Sequence, residues 1–166
     1  VLSRLVPYKR IDIAVEAFNK LGKPLVIAGD GPELDKLRKM AKANIRFLGR
    51  VSEEQKYNLY KECKAFVFPG EEDFGITPVE AQSFGKPVIA LGRGGALETV
   101  VDGQTGVHYR ESSAKGLIEA VKRAESINFD PDTIRQNALK FDWEMFKKQL
   151  KEFVADKVEQ GIGFPV

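Results

Sequence analysis

The chain has 166 residues, the length of one ordinary domain that buries roughly 70% of the surface its unfolded form exposes. Charged residues make up 30% with both signs interspersed, and a formal net charge of +2 with a pI near 8.6 is too mild for a nucleic-acid-binding domain. One cysteine, Cys63, excludes an internal disulfide and a thiolate metal site and fits a reducing, cytoplasmic setting, while no apolar run approaches the roughly 20 residues of a membrane span.

The opening "VLSRL" has neither Met nor the layout of a signal peptide and reads as a buried strand, Val1–Leu5, in a piece of a longer protein cut close to a domain boundary. Within "SRLVPYKR", Arg4 and Lys9 flank a proline turn. A planar guanidinium fork and a compact ammonium together suit a diphosphate without a metal, although either residue alone is more often simple surface charge. Next comes a helix, Ile11–Leu21, with Ile11, Ala14, Val15 and Phe18 on one stripe, then a strand, Leu25–Ala28. The following "AGDGPE" places Gly29 and Gly31 where backbone could approach a ligand and Pro32 at a helix start. It is not GxGxxG, so an ordinary NAD fingerprint is absent. A helix over Glu33–Ala43 follows with Leu34, Leu37 and Met40 aligned, then a strand at Ile45–Leu48. Ser52 and Gln55 have the spacing of a capping box for a helix reaching about Cys63.

The strand Ala65–Phe68 is continuously apolar, as expected when a strand is covered on both faces. It leads into "PGEEDFGITPVEA", where Thr77 reads as N-cap, Pro78 as the first helical residue and Glu80 as the capping-box glutamate. Free amides near Gly75–Pro78 would then make an anion site, with Glu71, Glu72 and Asp73 either solvated loop acids or part of that site. A strand at Val88–Leu91 is followed by Gly94 and Gly95, a short helix in "ALETVV", and a strand at Val107–Tyr109. His108, the only histidine, has no ligand-spaced partners and reads as packing or surface. After a helix at Ala114–Ser126, "DPD" at Asp130–Asp132 formally matches a DxD metal motif but reads better as Asp130 capping a helix that starts at Pro131. The last helix, Asp142–Val158, carries Trp143, Phe146, Leu150, Phe153 and Val154, most simply a core stripe. The alternation predicts a doubly wound parallel α/β domain over residues 1–160, with a loose tail at 161–166.

Five stretches, in order, carry a resemblance to the C-terminal, donor-binding half of family 4 glycosyltransferases of the GT-B fold. "SRLVPYKR" resembles that family's G/S-R-L-x-x-x-K-G, "IAGDGP" its G-x-G-P loop and "FLGRV" its F-x-G-x-V. "EDFGITPVEAQSFGKPVIA" resembles the segment holding its E-x7-E motif, here Glu72 and Glu80, and "GGALETVVDGQTG" its G-G-x-x-E-x-V-x-D-G-x-T-G. The resemblance implies a Rossmann-like sheet and retaining transfer of a hexose from a UDP- or GDP-sugar, GDP-mannose among the candidates. It implies no metal cofactor, and an acceptor such as a glycan or lipid-linked glycan bound through an N-terminal domain outside this chain, without which the fragment is expected to be inactive. Peripheral association of a full-length protein with the inner face of a membrane is compatible with such an acceptor.

The resemblance also assigns roles. Arg4 and Lys9 would stabilise the departing diphosphate, Glu72 would hold the donor sugar, and Glu80 would accept the ribose hydroxyls. The amides from Phe74, Gly75, Ile76 and Thr77 would receive the distal phosphate and sugar, the Gly29 and Gly31 loop would approach the donor, and the loop at Arg50 and Val51 would face the base. Glu98 is a weaker candidate, with a plain surface role equally compatible. The resemblance further implies that the last helix crosses back towards the N-terminal domain, so part of the Trp143 stripe is expected to be bare in its absence. Two positions depart from the family pattern: Arg10 stands where Gly follows the lysine, and Gly70 where Ser is common, removing one hydroxyl near the nucleotide. Two rival functions stay open at this point, a glycoside hydrolase using Glu72 and Glu80, and a nucleotide-binding domain without catalysis.

Overall fold

The computed structural model describes residues 1–159, so the expected tail at 161–166 lies outside the described residues. Strands and helices alternate: α1 (Ile11–Leu21), β1 (Leu25–Ala28), α2 (Leu34–Met40), β2 (Ile45–Gly49), α3 (Glu53–Glu62), β3 (Phe66–Phe68) and α4 (Ile76–Ser83). They continue with β4 (Val88–Leu91), α5 (Ala96–Thr99), β5 (Gly106–Tyr109), α6 (Ala114–Glu125), α7 (Pro131–Leu139) and α8 (Trp143–Glu159). Every strand pairing is parallel, β1 with β2 and, in a second ladder, β3 with β4 and β4 with β5. Parallel pairing aligns the carboxyl ends of the strands in each ladder, so the loops that follow them share an edge.

β1, β3 and β4 are covered on both faces, which explains their unbroken apolar sequences, whereas β2 leaves Arg46 and Leu48 exposed on one face. In β3, Phe66 and Phe68 point into one hydrophobic cluster with Tyr60, Ala81 and Val100, while Val67 points into another with α1 and α6. In β4, Val88 and Ala90 face the first cluster and Ile89 and Leu91 the second. The period of two in strand side chains thus joins two cores through one layer. On α1 the buried set is wider than the expected stripe, adding Ile13 and Ala17, because the helix is buried in the larger cluster that α6 shares.

Four local expectations are corrected. Val1–Leu5 runs beside β1, with Ser3 N–H donating to the Ala28 carbonyl at 3.0 Å, but forms only an isolated bridge, Leu2 to Ala28. The partner backbone leaves the strand conformation at Gly29 (φ 131°), so the ladder stops. Pro32 lies in a turn ahead of α2 and does not open it; Glu33 is the N-cap. Thr77 is not the cap of α4: Gly75 is, at φ 85°, with no side-chain cap bond, and Thr77 and Pro78 already lie inside the first turn. The Trp143 stripe is not core, since none of α8 is buried and Trp143, Phe146, Leu150, Phe153 and Val154 are all exposed. No element among the described residues covers that face.

Two caps match their sequence signals. Ser52 Oγ accepts from Gln55 N–H at 3.2 Å while Gln55 Oε1 accepts from Ser52 N–H at 2.9 Å. Asp130 accepts from the amides of Asp132 and Thr133 ahead of Pro131.

Candidate functional site

The loop after Val1–Leu5 forms a 3-10 turn, Pro7–Lys9, which ends at Arg10 in the left-handed region (φ 51°, ψ 39°). That conformation accounts for glycine at this place in the motif. Arg10 occupies it with its guanidinium paired to both oxygens of Asp12 at 3.1 Å. The turn lies against Gly70, where an added Cβ would stand 2.8 Å from the Lys9 Cα. A serine at Gly70 would therefore push the Lys9 turn outward.

This close approach delivers the Lys9 ammonium to the Glu72 carboxylate, and the two form an ion pair with little exposure on either side. Burial, and after it the nearby Arg4 guanidinium, hold the Lys9 pKa below the usual lysine value. Arg4 itself is exposed, a cation at the rim of the same edge. The acidic loop is braced from the other side, where Gly95 N–H donates to the Glu72 carbonyl at 2.7 Å. Cβ atoms at Gly94 and Gly95 would strike the backbone of Glu72 and Phe74, so the glycine pair fits as a support for this loop.

The amino end of α4 adjoins Glu72, and with no side-chain cap its first amides are available to an anion. Phe74 and Ile76 are exposed there, Phe74 edge-on to Phe141 at 5.6 Å, and Thr77 is half-buried. Phe74, Ile76 and Glu80 also line an open cleft of about 610 Å³, together with Arg135, Leu139 and Phe141.

One turn into α4, Glu80 serves no cap. Its Oε1 accepts from Lys56 Nζ at 2.9 Å and its Oε2 from the Tyr60 hydroxyl at 2.8 Å. Lys56 also bonds Glu53 at 2.8 Å, and those contacts, Glu53 foremost, push its pKa up to about 12. Lys56 and Tyr60 escaped the sequence reading. The signal that finds them is their spacing of four on α3, whose start the Ser52 box fixes, facing a glutamate that needs donors.

Other expected site residues are less integrated. Gly29 and Gly31 are needed by the fold, because a Cβ at either would collide with the backbone of Ser3 or Leu5, so the two loops pack closely there. Arg50 is almost fully exposed, 3.4 Å from Asp30, and Val51 is half-buried beside it. Glu98 is exposed. The His108 ring lies 3.0 Å from the Ala96 carbonyl and packs behind α5. Asp130 is engaged as a cap and Asp132 bonds Arg135 at 2.9 Å, and no group of three or more ligand-type side chains gathers among the described residues. Among those residues no helix is long and apolar enough to cross a membrane.

The profile of the family described as "Glycosyl transferases group 1" matches residues 1–141. The chain is 54% identical over 61 residues to the alpha-1,3/1,6-mannosyltransferase ALG2 of Dictyostelium discoideum, covering 36% of this chain and 14% of that protein. It is 31% identical over 150 residues to the glycosyltransferase MJ1178 of Methanocaldococcus jannaschii, covering 84% of this chain and 42% of that one. Among solved structures, Anabaena HepE in complex with UDP and glucose superposes with a TM-score of 0.76 at 25% identity, over 93% of this chain and 46% of that one. The chain therefore spans less than half the length of these proteins.

Proposed function

The chain belongs to the Glycosyl transferases group 1 family, and from that premise we propose that it is the donor-binding half of a retaining hexosyltransferase that takes a UDP- or GDP-sugar. The observation that carries this reading is the convergence of the Lys9–Glu72 pair, the exposed Arg4 and the uncapped start of α4, with Glu80 one turn behind, which brings the loops of the two ladders together. Lys9, Arg4 and the α4 amides supply positive potential for the leaving diphosphate, so no metal is needed. Glu72, fixed by Lys9 and by Gly95, holds hydroxyls of the transferred sugar, and Glu80 accepts those of the ribose. Catalysis then rests on positioning and electrostatic stabilisation.

The acceptor, a glycan or lipid-linked glycan, would bind to residues outside this chain, and the chain by itself would bind donor without turnover. A mannosyltransferase relative favours GDP-mannose and a neighbour holding UDP and glucose favours UDP-glucose; both remain within the proposal. The hydrolase reading is weaker, because a hydrolase acid must keep its proton in an apolar setting, whereas both glutamates here are matched to a lysine ammonium.

Calorimetric titration of the chain with UDP, GDP and ADP, with and without EDTA, tests the proposal. One nucleotide should bind clearly best, equally well in EDTA, and Glu80→Gln should weaken it by about ten- to a hundredfold, or ~1.5–3 kcal/mol, since the amide replaces one acceptor with a donor. Absence of binding by all three, or strict dependence on magnesium or manganese, would refute the site as described.

A further inference from the structure

We propose that Lys56 and Tyr60 are positioning residues that pin the two oxygens of the Glu80 carboxylate in the orientation in which it receives the vicinal ribose hydroxyls of the donor nucleotide. This rests on the assignment of Glu80 to the ribose made above. A glutamate has three side-chain torsions, and the last is broad, so an unsupported carboxylate would have to be ordered by the ligand at the expense of affinity. Here each oxygen has its own donor: Lys56 Nζ on Oε1 at 2.9 Å and the Tyr60 hydroxyl on Oε2 at 2.8 Å. Each oxygen accepts about two hydrogen bonds, so one site on each is left for a ligand. Two adjacent sites at carboxylate spacing match a vicinal diol and match neither a single hydroxyl nor a phosphate.

The two donors are themselves immobilised. Lys56 and Tyr60 lie four residues apart on the same face of α3, and the Ser52–Gln55 capping box sets where that helix begins. The Tyr60 ring is 2% exposed, stacked on Phe84 at 5.6 Å and tilted against Phe66 at 5.8 Å, so its hydroxyl has no room to swing. The Lys56 side chain is only 14% exposed and its ammonium is tied to Glu53 as well. Glu80, by contrast, keeps 31% of its side chain exposed, which leaves it reachable. A merely structural role, stapling α3 to α4, would use the same contacts, and the two roles differ in what they do to ribose recognition.

The test compares UDP with 2′-deoxy-UDP, and GDP with 2′-deoxy-GDP, by calorimetry on the parent chain and on Tyr60→Phe and Lys56→Met, with a melting curve for each. Tyr60→Phe keeps both ring contacts, and Lys56→Met keeps the apolar stem, so either variant alone decides the matter. The parent should prefer the ribo form about tenfold, and each variant should lose most of that preference; Lys56→Arg, which keeps a charged donor, should retain more of it than Lys56→Met. Parent binding that ignores the 2′-hydroxyl would sink the ribose assignment itself. A parent that discriminates, with variants that discriminate equally whatever their melting points, would leave that assignment standing and overturn the positioning role.

Discussion

Lys9 shows how one side chain is prepared by its neighbours. Its ammonium meets Glu72 because Gly70 lets the 3-10 turn lie against the loop after β3, and Arg4 adds a second cation within electrostatic reach. Arg4 is exposed, so its contribution is screened by salt, whereas Lys9 is mostly covered. Lys9→Ala should therefore weaken nucleoside diphosphate binding about tenfold, and Arg4→Ala by less, with the Arg4 loss shrinking more steeply as salt rises. Calorimetric titration at two ionic strengths separates the two; parental affinity in both variants at low salt would move the phosphate site elsewhere. Burial and Arg4 lower the Lys9 pKa, so its charge is lost earlier on the alkaline side than an ordinary lysine's, and affinity should decline there in the parent before it does in Lys9→Arg.

At the scale of elements, the caps decide where helices start, and they are honoured unevenly. The Ser52 and Asp130 signals are read out as side-chain bonds, because each precedes a helix entered from extended backbone. The Thr77 signal is overridden by Gly75, whose positive φ turns the chain into α4 two residues earlier. Arg10 caps α1 from the left-handed region, which disfavours a residue with a Cβ by roughly 1–2 kcal/mol, offset by a partly exposed ion pair with Asp12 contributing about 0–1 kcal/mol. Arg10→Gly should accordingly melt at or slightly above the parent. Arg10→Ala should be less stable than Arg10→Gly by about 1 kcal/mol, since it loses the pair and keeps the strain. Thermal unfolding of the three proteins checks the order, and Ala equal to Gly would mean that the left-handed cap carries no penalty.

For the molecule as a whole, the two hydrophobic clusters share β3 and β4, so neither can lose its order without disturbing the other. Val88 and Ile89 are adjacent in sequence yet serve opposite clusters. Val88→Ala and Ile89→Ala should each destabilise by about 2–4 kcal/mol and lower the midpoint of one common transition. Far-UV circular dichroism and calorimetry should give coincident curves in both variants. Two resolved transitions would show that the clusters unfold independently. The bare apolar face of α8 takes no part in either cluster, and its residues should be near-neutral to stability in this chain.

The sequence by itself determined the alternation of elements and the parallel layered architecture, because apolar strands and periodic helices have few ways to bury themselves. It also singled out Lys9, Glu72 and Glu80. It misassigned Val1–Leu5 as a full strand, Thr77 as a cap and the Trp143 stripe as core, since each depends on what lies next to the segment: the turn at Gly29, the turn at Gly75 and, for α8, a face that no element among the described residues packs against. Only the tertiary structure decided that Gly29 and Gly31 serve the packing of two loops and that Lys56 and Tyr60 grip Glu80 across a separation of more than twenty residues in one case and twenty in the other. Local pattern is set by covalent neighbours, whereas the partner of a carboxylate is set by which helix face the fold brings within 3 Å of it.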